Sequence, residues 1–519
     1  MSQINILWVD DEIESLKSQI LFLENKGYKV AALTNGYDAL EFLKEQMVDV
    51  VLLDESMPGI TGLETLGKIK EIDQQIPVVM ITKNEAENVM DEAIGSQITD
   101  YLIKPVNPNQ VLLSLKKIID NKRLIAERTT TAYQQEFRSL FMALNSNQDH
   151  REWMDLYKKL VYWEMEMSKS NSPEMMEVFN TQKAEANTEF AKFISRNYSS
   201  WVHPKAKGTD VPVMSHTLFS EKILPALDEE ASNFFILIDN LRYDQWKAIL
   251  PIFLESFRLL EEDTFYSILP TSTQYSRNAI FAGMMPVDIE QKFPVQWKND
   301  DEEGGKNLYE EEFFAAQLAR HRKDIRFSYT KVINHSDGQH LLNNVHNLMD
   351  YQLNIIVYNF VDMLSHARTE MEVLKELAND EASYRSITAS WFEHSPLHQA
   401  LKRIADKKIN LIIATDHGSV RVKTPVKVIG DKQTTTNLRY KHGRNLNYDP
   451  KEVLAFRDPK EAGLPKPNVN SSYIFARGDG YLCYPNNYNY FVNYYRNTFQ
   501  HGGISLEEMI VPVARLVSK

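Results

Sequence analysis

The amino-acid sequence predicts an α/β chain in three parts: a doubly wound parallel five-stranded sheet, a central helical bundle, and a second, larger α/β domain. Three observations predict this. Apolar strand-like runs alternate with amphipathic helix-like ones from Ile4 to Pro105, strand-like runs then vanish until Phe234, and beyond it they return with long mixed segments between them. At 519 residues the chain is too long for one core, and roughly 150 residues per domain allows two to four domains. The expected boundaries are 1–122, 123–207 and 208–519.

In the first part the strand candidates are INILWVDDE, YKVAALT, VDVVLLDESMPG, IPVVMITK and TDYLIKP, with helical stretches such as ESLKSQILFLENKG between them. Ligands of such sheets collect at the carboxyl ends of the strands. Asp10 and Asp11 follow the first strand, Asp54 the third, Thr82 the fourth and Lys104 the fifth. Clustered carboxylates repel one another, and an oxygen-rich site with open positions suits Mg²⁺. Asp54 can then act as a nucleophile toward a phosphoryl group, with the metal and Lys104 balancing the added charge. The motifs VDDE, LLDESMPG, MITK and YLIKP resemble those of response-regulator receiver domains, a flavodoxin-like family. The resemblance implies that Asp54 is the phosphoacceptor and that Asp10 and Asp11 bind Mg²⁺ beside the Ser56 carbonyl. It further implies a sensor histidine kinase as partner and a Thr82–Tyr101 pair that reports phosphorylation to the surface of the fourth and fifth helices, where such domains homodimerise.

The middle part contains no glycine from Leu112 to Lys207. Trp153, Leu156, Tyr157 and Leu160 recur at helical spacing, as do Phe190, Phe193, Ile194 and Tyr198. Breaks fall at SNSP before Glu174 and at HPKAKG from His203. A bundle of about three helices follows from the short connections usual in bundles. Its aromatic stripes, Trp153 and Trp163 included, are expected to be core, and its role that of a spacer.

The last part has strand candidates FFILIDN, LNIIVYNFVD, INLIIATDHG and SSYIFARG. Three of them end in acids or an acid–imidazole pair: Asp239, Asp362, and Asp416 with His417. His366 stands four residues after Asp362, a spacing that on a helix lets both grip one ion. QHGGISLEEM supplies His501, and ILPTSTQYSRNAIFAG presents Thr271 before a helical run, where a helix N-terminus favours an anion. Acids and histidines at strand ends with a hydroxyl at a helix start point to a two-metal hydrolase. The mixed donors suit Zn²⁺, with Mn²⁺ as the alternative. Arg242 and Arg277 flank these motifs and are candidates either for phosphate binding or for a structural role.

IDNLRYD, PTST, FVDMLSH, TDHGS and QHGGISLEE are similar to the PglZ branch of the alkaline phosphatase superfamily. The resemblance implies one zinc on Asp239, Asp416, His417 and the Thr271 hydroxyl, a second on Asp362, His366 and His501, and Thr271 as nucleophile. Receiver, helical segment and PglZ domain in this order resemble regulators of type IX secretion. That implies phosphodiester cleavage in nucleotides or oligonucleotides, the aromatic run YLCYPNNYNYFVNYY being a candidate for base stacking. The competing expectation is a non-catalytic, metal-stabilised scaffold that binds a sigma factor or secretion-motor protein when phosphorylated.

A net charge of −13 argues against a general DNA-binding surface, and no basic helix-turn-helix follows the first part. No apolar run approaches the roughly 18 residues of a membrane span. The N-terminus lacks a basic signal-like region, and the single cysteine, Cys483, fits a reducing compartment. A cytoplasmic protein is expected.

Overall fold

In the computed structural model, which describes residues 4–73, 76–83, 98–144, 146, 148–170, 173–203, 210–364, 380–431 and 434–519, the first apolar run forms β1 (Asn5–Val9). It is followed by α1 (Lys17–Asn25), β2 (Lys29–Leu33), α2 (Gly36–Glu45), β3 (Val50–Asp54), α3 (Gly62–Ile72), β4 (Val78–Thr82) and β5 (Asp100–Ile103). All pairings are parallel, in the order β2-β1-β3-β4-β5. Side chains alternate between the two faces. Ile6, Trp8, Leu52, Val79 and Ile81 enter one core, and Leu7, Val9, Val51, Leu53, Val78 and Met80 the other. Burial on both faces is why these strands read as unbroken apolar runs. A capping box of Thr61 and Glu64 starts α3, and Gly62 is required there, because a Cβ would stand 2.3 Å from the Asp54 carbonyl oxygen. The helix start is thereby packed directly against the end of β3.

The chain divides into two compact units, Met1–Thr131 and Ala132–Lys519, with the division inside α4 (Pro108–Leu144). The second unit contains α5 (His150–Ser170) and α6 (Pro173–Val202). These helices are not a free-standing spacer. Their aromatic stripes are buried in one continuous core with the sheet that follows: Trp153 meets Phe190 edge-on at 5.3 Å, and Phe190 and Trp201 both pack on Tyr266. Polar contacts add to this, since Lys183 of α6 pairs with Glu164 of α5 at 2.8 Å and with Glu507 at 2.9 Å.

The α/β part comprises β6 (Ser232–Ile238), α7 (Tyr243–Phe253), β7 (Phe257–Tyr266), α8 (Thr273–Ala282), α9 (Glu310–Arg320), β8 (Phe327–Val332), β9 (Leu353–Tyr358), α10 (Glu381–His394) and β10 (Ile409–Ala414). After β11 (Val420–Arg421) and β12 (Thr424–Lys427) come β13 (Tyr440–Arg444), β14 (Val453–Phe456), β15 (Ser471–Ala476), β16 (Gly480–Cys483), α11 (Tyr488–Tyr495), β17 (Phe499–Gln500) and β18 (Ile510–Ser518). A six-stranded mixed sheet runs β7-β18-β10-β6-β9-β8. β10, β6, β9 and β8 are parallel, while β18 is antiparallel to both β10 and β7. SSYIFARG is not in this sheet: as β15 it lies between β13 and β14 in a separate antiparallel one. Among the described residues no helix is long and apolar enough to cross a membrane.

Candidate functional site

In the first unit, oxygens of Asp10, Asp11 and Asp54 lie within 4.8 Å of one another at the ends of β1 and β3. Lys104 Nζ stands 2.8 Å from Asp10 Oδ2 and 2.9 Å from Asp54 Oδ1. Burial raises the pKa of Asp54, against the opposing hydrogen bond from Lys104. Burial lowers that of Lys104, but its bonds to Asp10 and Asp54 outweigh this and the net shift is upward. Asp11 and Ser56 are exposed, so the pocket has an open side where a phosphoryl donor or Mg²⁺ can enter. The Thr82 hydroxyl donates to the Glu55 carboxylate, and Tyr101 is 42% exposed. Residues 84–97, where the expected fourth helix would fall, lie outside the described residues.

In the second unit, the parallel strands aim three chemistry-bearing loops at one place. β6 ends in Asp239, β10 runs into Thr415, Asp416 and His417, and Asp362 follows β9. Asp239, Asp416 and His417 each offer a ligand atom within 4.8 Å of the others, and all three are buried. His417 Nε2 is 3.8 Å from Asp239 Oδ1 and 3.9 Å from Asp416 Oδ2. Its Nδ1 lies 3.1 Å from the Gly418 carbonyl oxygen, an arrangement in which Nδ1 donates and the Nε2 lone pair faces the carboxylates. Burial pulls the His417 pKa down to about 4, so the ring is neutral, as a metal ligand must be. Burial and then the charge of Asp416 push Asp239 well above the usual carboxylate range.

The backbone is built around these groups. Asn240 takes the left-handed conformation (φ 62°), and its N–H donates to Asp416 Oδ1 at 3.2 Å. Thr415 Oγ1 accepts from the Leu241 N–H at 3.0 Å and donates to the His417 carbonyl at 3.0 Å. Gly418 has no room for a side chain, because a Cβ would lie 2.0 Å from the Glu507 carbonyl oxygen. His501 stacks on His417 with ring centroids 4.3 Å apart, and its Nε2 is 3.5 Å from Asp362 Oδ1. Burial acts to lower the His501 pKa, but its bond to Asp362 prevails and the net shift is upward. His501 thus joins Asp362 to the first cluster. His366 lies outside the described residues.

One expectation needs correction, and an open choice between two roles narrows. The Thr271 hydroxyl does not enter the cluster: it donates to the Gly503 carbonyl at 2.9 Å and accepts from the Gly502 N–H at 3.1 Å. The hydroxyl that reaches the ligands belongs to Thr273, 3.1 Å from His417 Nε2 and 3.3 Å from Asp239 Oδ1. The reason is the helix start: Ser272 is the N-cap of α8 and Thr273 its first residue, so Thr271 is still in the preceding extended chain and is used to hold the His-Gly-Gly turn. The two arginines are likewise structural. Arg277, buried, donates to Asp239 Oδ2 at 2.7 Å, to Glu310 at 2.5 Å and to Asn359 at 3.1 Å. Arg242, also buried, is held by Asp244 and by Glu381 at 2.6 Å and lies over the rings of Tyr384 and Phe499. Arg277 is taken up by its three partners, and Arg242, although its Nη1 has no hydrogen-bond partner among the described residues, is buried under these contacts. Sequence reasoning missed Thr273, Asn240 and Glu310. The first was within PTST, and its signal was its position relative to the helix cap.

Whether a divalent cation fits can be judged from the donor set. Asp416 Oδ2 is buried with no hydrogen-bond donor among the described residues, and its cationic neighbour, Arg277, is 4.0 Å away. Two buried carboxylates, a neutral imidazole and a hydroxyl share one small volume. That set fits a cation of zinc or manganese type.

Comparison with known proteins matches three families along the chain. The family model described as the BREX system PglZ alkaline phosphatase-like domain matches residues 218–516, that of the PorX response regulator linker domain residues 123–202, and that of the response regulator receiver domain residues 6–116. Among curated proteins, the transcriptional regulatory protein ZraR of Klebsiella oxytoca is 38% identical over 122 residues, which is 24% of this chain and 28% of that protein. The phosphoglycerate transport system transcriptional regulatory protein PgtA of Salmonella typhimurium is 29% identical over 126 residues, 24% of this chain and 30% of that protein. The chain thus spans less than a third of the length of these relatives. A solved CheY-like receiver domain from Methanospirillum hungatei is 27% identical and covers 23% of this chain and 96% of its own, with a TM-score of 0.23.

Proposed function

The chain belongs to the PglZ alkaline phosphatase-like family, and from that premise we propose that it is a response regulator whose C-terminal domain hydrolyses phosphodiesters. The observation that carries the proposal is the Thr273 hydroxyl at the first turn of α8, within reach of a buried Asp239–Asp416–His417 set. Asp239, Asp416, His417 and Thr273 would hold one Zn²⁺, and Asp362 and His501, with His366, the other; Mn²⁺ is the alternative. When bound, such a pair supplies charge neutralisation for phosphoryl oxygens and a lowered pKa for a coordinated hydroxyl or water.

The residues supply the rest. Thr273 Oγ1 attacks phosphorus; the Oγ1–P bond forms as the P–O bond to the leaving alcohol breaks and the hydroxyl proton passes to that alcohol, and water then cleaves the Oγ1–P bond, releasing a phosphomonoester and restoring the hydroxyl. The N-terminus of α8 favours the anionic substrate there. Arg277 holds one oxygen of Asp239 and leaves the other facing His417 and Thr273. The Gly418 carbonyl fixes the His417 ring. Nucleotides or oligonucleotides are the substrate class we assign.

Control is assigned to the receiver. A sensor histidine kinase phosphorylates Asp54 with Mg²⁺ held by Asp10 and Asp11, Lys104 balances the new charge, and the chain dimerises through the surface of the receiver's fourth and fifth helices. Regulation of type IX secretion is the cellular role. A scaffold that only binds a sigma factor or motor protein would have no use for a hydroxyl among the ligands.

Elemental analysis of the purified chain should find zinc, and a screen should find aryl and nucleotide diesters cleaved in preference to monoesters. A chain that binds no divalent ion, or that hydrolyses neither class, would remove the hydrolase. Beryllofluoride should shift the sedimentation profile toward dimer, and an unchanged profile would remove the switch.

A further inference from the structure

The aromatic run from Tyr481 to Tyr495 takes no part in the Asp239–Asp416–His417 cluster, yet it borders a cavity of about 530 Å³, within the size range of small-molecule sites. The cavity lies on the opposite face of β13 from the His-Gly-Gly turn. Tyr440 points one way, with its hydroxyl donating to Asp300 at 3.1 Å and its ring filling the space beside Gly502. Lys441, next in the strand, must point the other way, and it lines the cavity with Leu438, Cys483, Tyr484, Phe491 and Tyr495, the one acid of the lining, Asp431, being exposed to solvent.

Lys441 is the unexplained member. It is 1% exposed. Buried lysines normally end in a carboxylate, as Lys183 does. Among the described residues the Lys441 ammonium makes no ion pair: it stands 4.4 Å from the centre of the Tyr484 ring, and its other electrostatic neighbour is the Cys483 thiol. Burial accordingly pulls its pKa down to about 7. Meanwhile the rings around it are held for contact. The Tyr484 hydroxyl donates to the Thr435 carbonyl at 2.9 Å, which fixes that ring under the ammonium. Phe491 and Tyr495 stack one helical turn apart on α11, nearly parallel at 13°, and Phe491 remains 36% exposed. An unpaired cation at the base and flat aromatic faces at the rim are complementary to one kind of molecule.

We propose that this cavity is a binding site for a small aromatic anion, a flat ring of nucleobase or aryl size carrying a phosphate or a carboxylate. Lys441 pairs with the acidic group, and Tyr484, Phe491 and Tyr495 cover the ring. The site is separate from the metal cluster and does not depend on the hydrolase reading.

Two measurements test it on the full-length chain. Pyridoxal 5′-phosphate, itself a flat aromatic anion, condenses through its aldehyde with a free amine and loses water. After borohydride reduction, peptide mapping should find Lys441 modified ahead of the exposed lysines at neutral pH. Protection by adenosine monophosphate or by 4-hydroxybenzoate then tells phosphate from carboxylate. In calorimetry, with Asp416→Asn as background to silence the metal cluster, adding Lys441→Met should weaken the protecting compound at least about tenfold. Labelling of Lys441 no faster than of exposed lysines would overturn the proposal, as would equal affinity with and without Lys441→Met. Should that variant fail to fold, the labelling of the parent chain decides.

Discussion

The two acidic clusters of this chain solve the problem of crowded carboxylates in opposite ways. In the receiver, Lys104 reaches two of three acids at 2.8 and 2.9 Å, and Asp11 faces solvent. Much of the repulsion is met by the protein itself, so the pocket is poised to take up and release a cation and a phosphoryl group. In the C-terminal domain Asp239, Asp416 and His417 are all buried. Their one arginine, Arg277, also serves Glu310, and Asp416 Oδ2 receives no hydrogen bond among the described residues. An internal cation that reaches two of three acids leaves little repulsion in the receiver pocket, whereas an arginine bonded to Asp239 but 4.0 Å from Asp416 leaves more of it in the buried cluster. Similar residues at strand ends thus carry different chemistry because of what is buried with them.

Four substitutions break or sharpen this contrast. The largest effect is expected of Thr273→Ala, which should lower turnover of bis(4-nitrophenyl) phosphate by about 10³-fold or more. Thr271→Ala, which only loosens the His-Gly-Gly turn, should cost far less; the reverse ranking would restore Thr271 as nucleophile. Next, Arg277→Gln leaves Asp239 buried without its cationic partner, while Glu310 keeps Lys331 at 2.9 Å, and should destabilise the second unit by about 3–5 kcal/mol in urea titrations. A phosphate-binding arginine would instead reduce turnover with stability unchanged.

Third, in chelated protein Asp416→Asn should stabilise the second unit at neutral pH by about 1–2 kcal/mol. The sign follows from Asp239, whose folded pKa is raised by burial and by Asp416. Its contribution to stability is full below the unfolded carboxyl pKa and is lost as pH rises through the folded one. Removing the Asp416 charge lessens that loss, whereas with zinc present the same change should destabilise. A variant less stable than the parent in chelator would show that repulsion is not what the metal relieves. The smallest effect is that of Asp54→Asn, where Lys104 already offsets the buried charge: the first thermal transition of the full chain should rise by an amount worth less than about 1 kcal/mol at pH 7 and converge with the parent near pH 4. A large gain would mean that the receiver pocket is as frustrated as the other cluster.

Most of both sites was legible in advance because their ligands stand at strand ends, and a strand end is marked in one dimension by where an apolar run stops. Asp10, Asp54, Asp239 and Asp416 all announce themselves this way. Thr271 misled because PTST offers two hydroxyls two residues apart, and only the cap at Ser272 decides which one opens the helix and turns inward. Arg242 and Arg277 stood near the right motifs, but their partners Glu381 and Glu310 come from α10 and α9, far along the chain. No local pattern connects them.

By itself the sequence determined the parallel sheet of the receiver, the strands β6, β9 and β10 of the second sheet, the helical stretch between and the acids at the strand ends, since apolar periodicity is a local property of the chain. Only the tertiary structure decided that the helices share a core with the second sheet, that Thr273 rather than Thr271 meets the Asp239–Asp416–His417 cluster, and that Lys441 is buried without a counter-charge among the described residues. Each of these depends on which distant groups come to rest within a few ångströms, and burial and pairing are properties of the packed molecule.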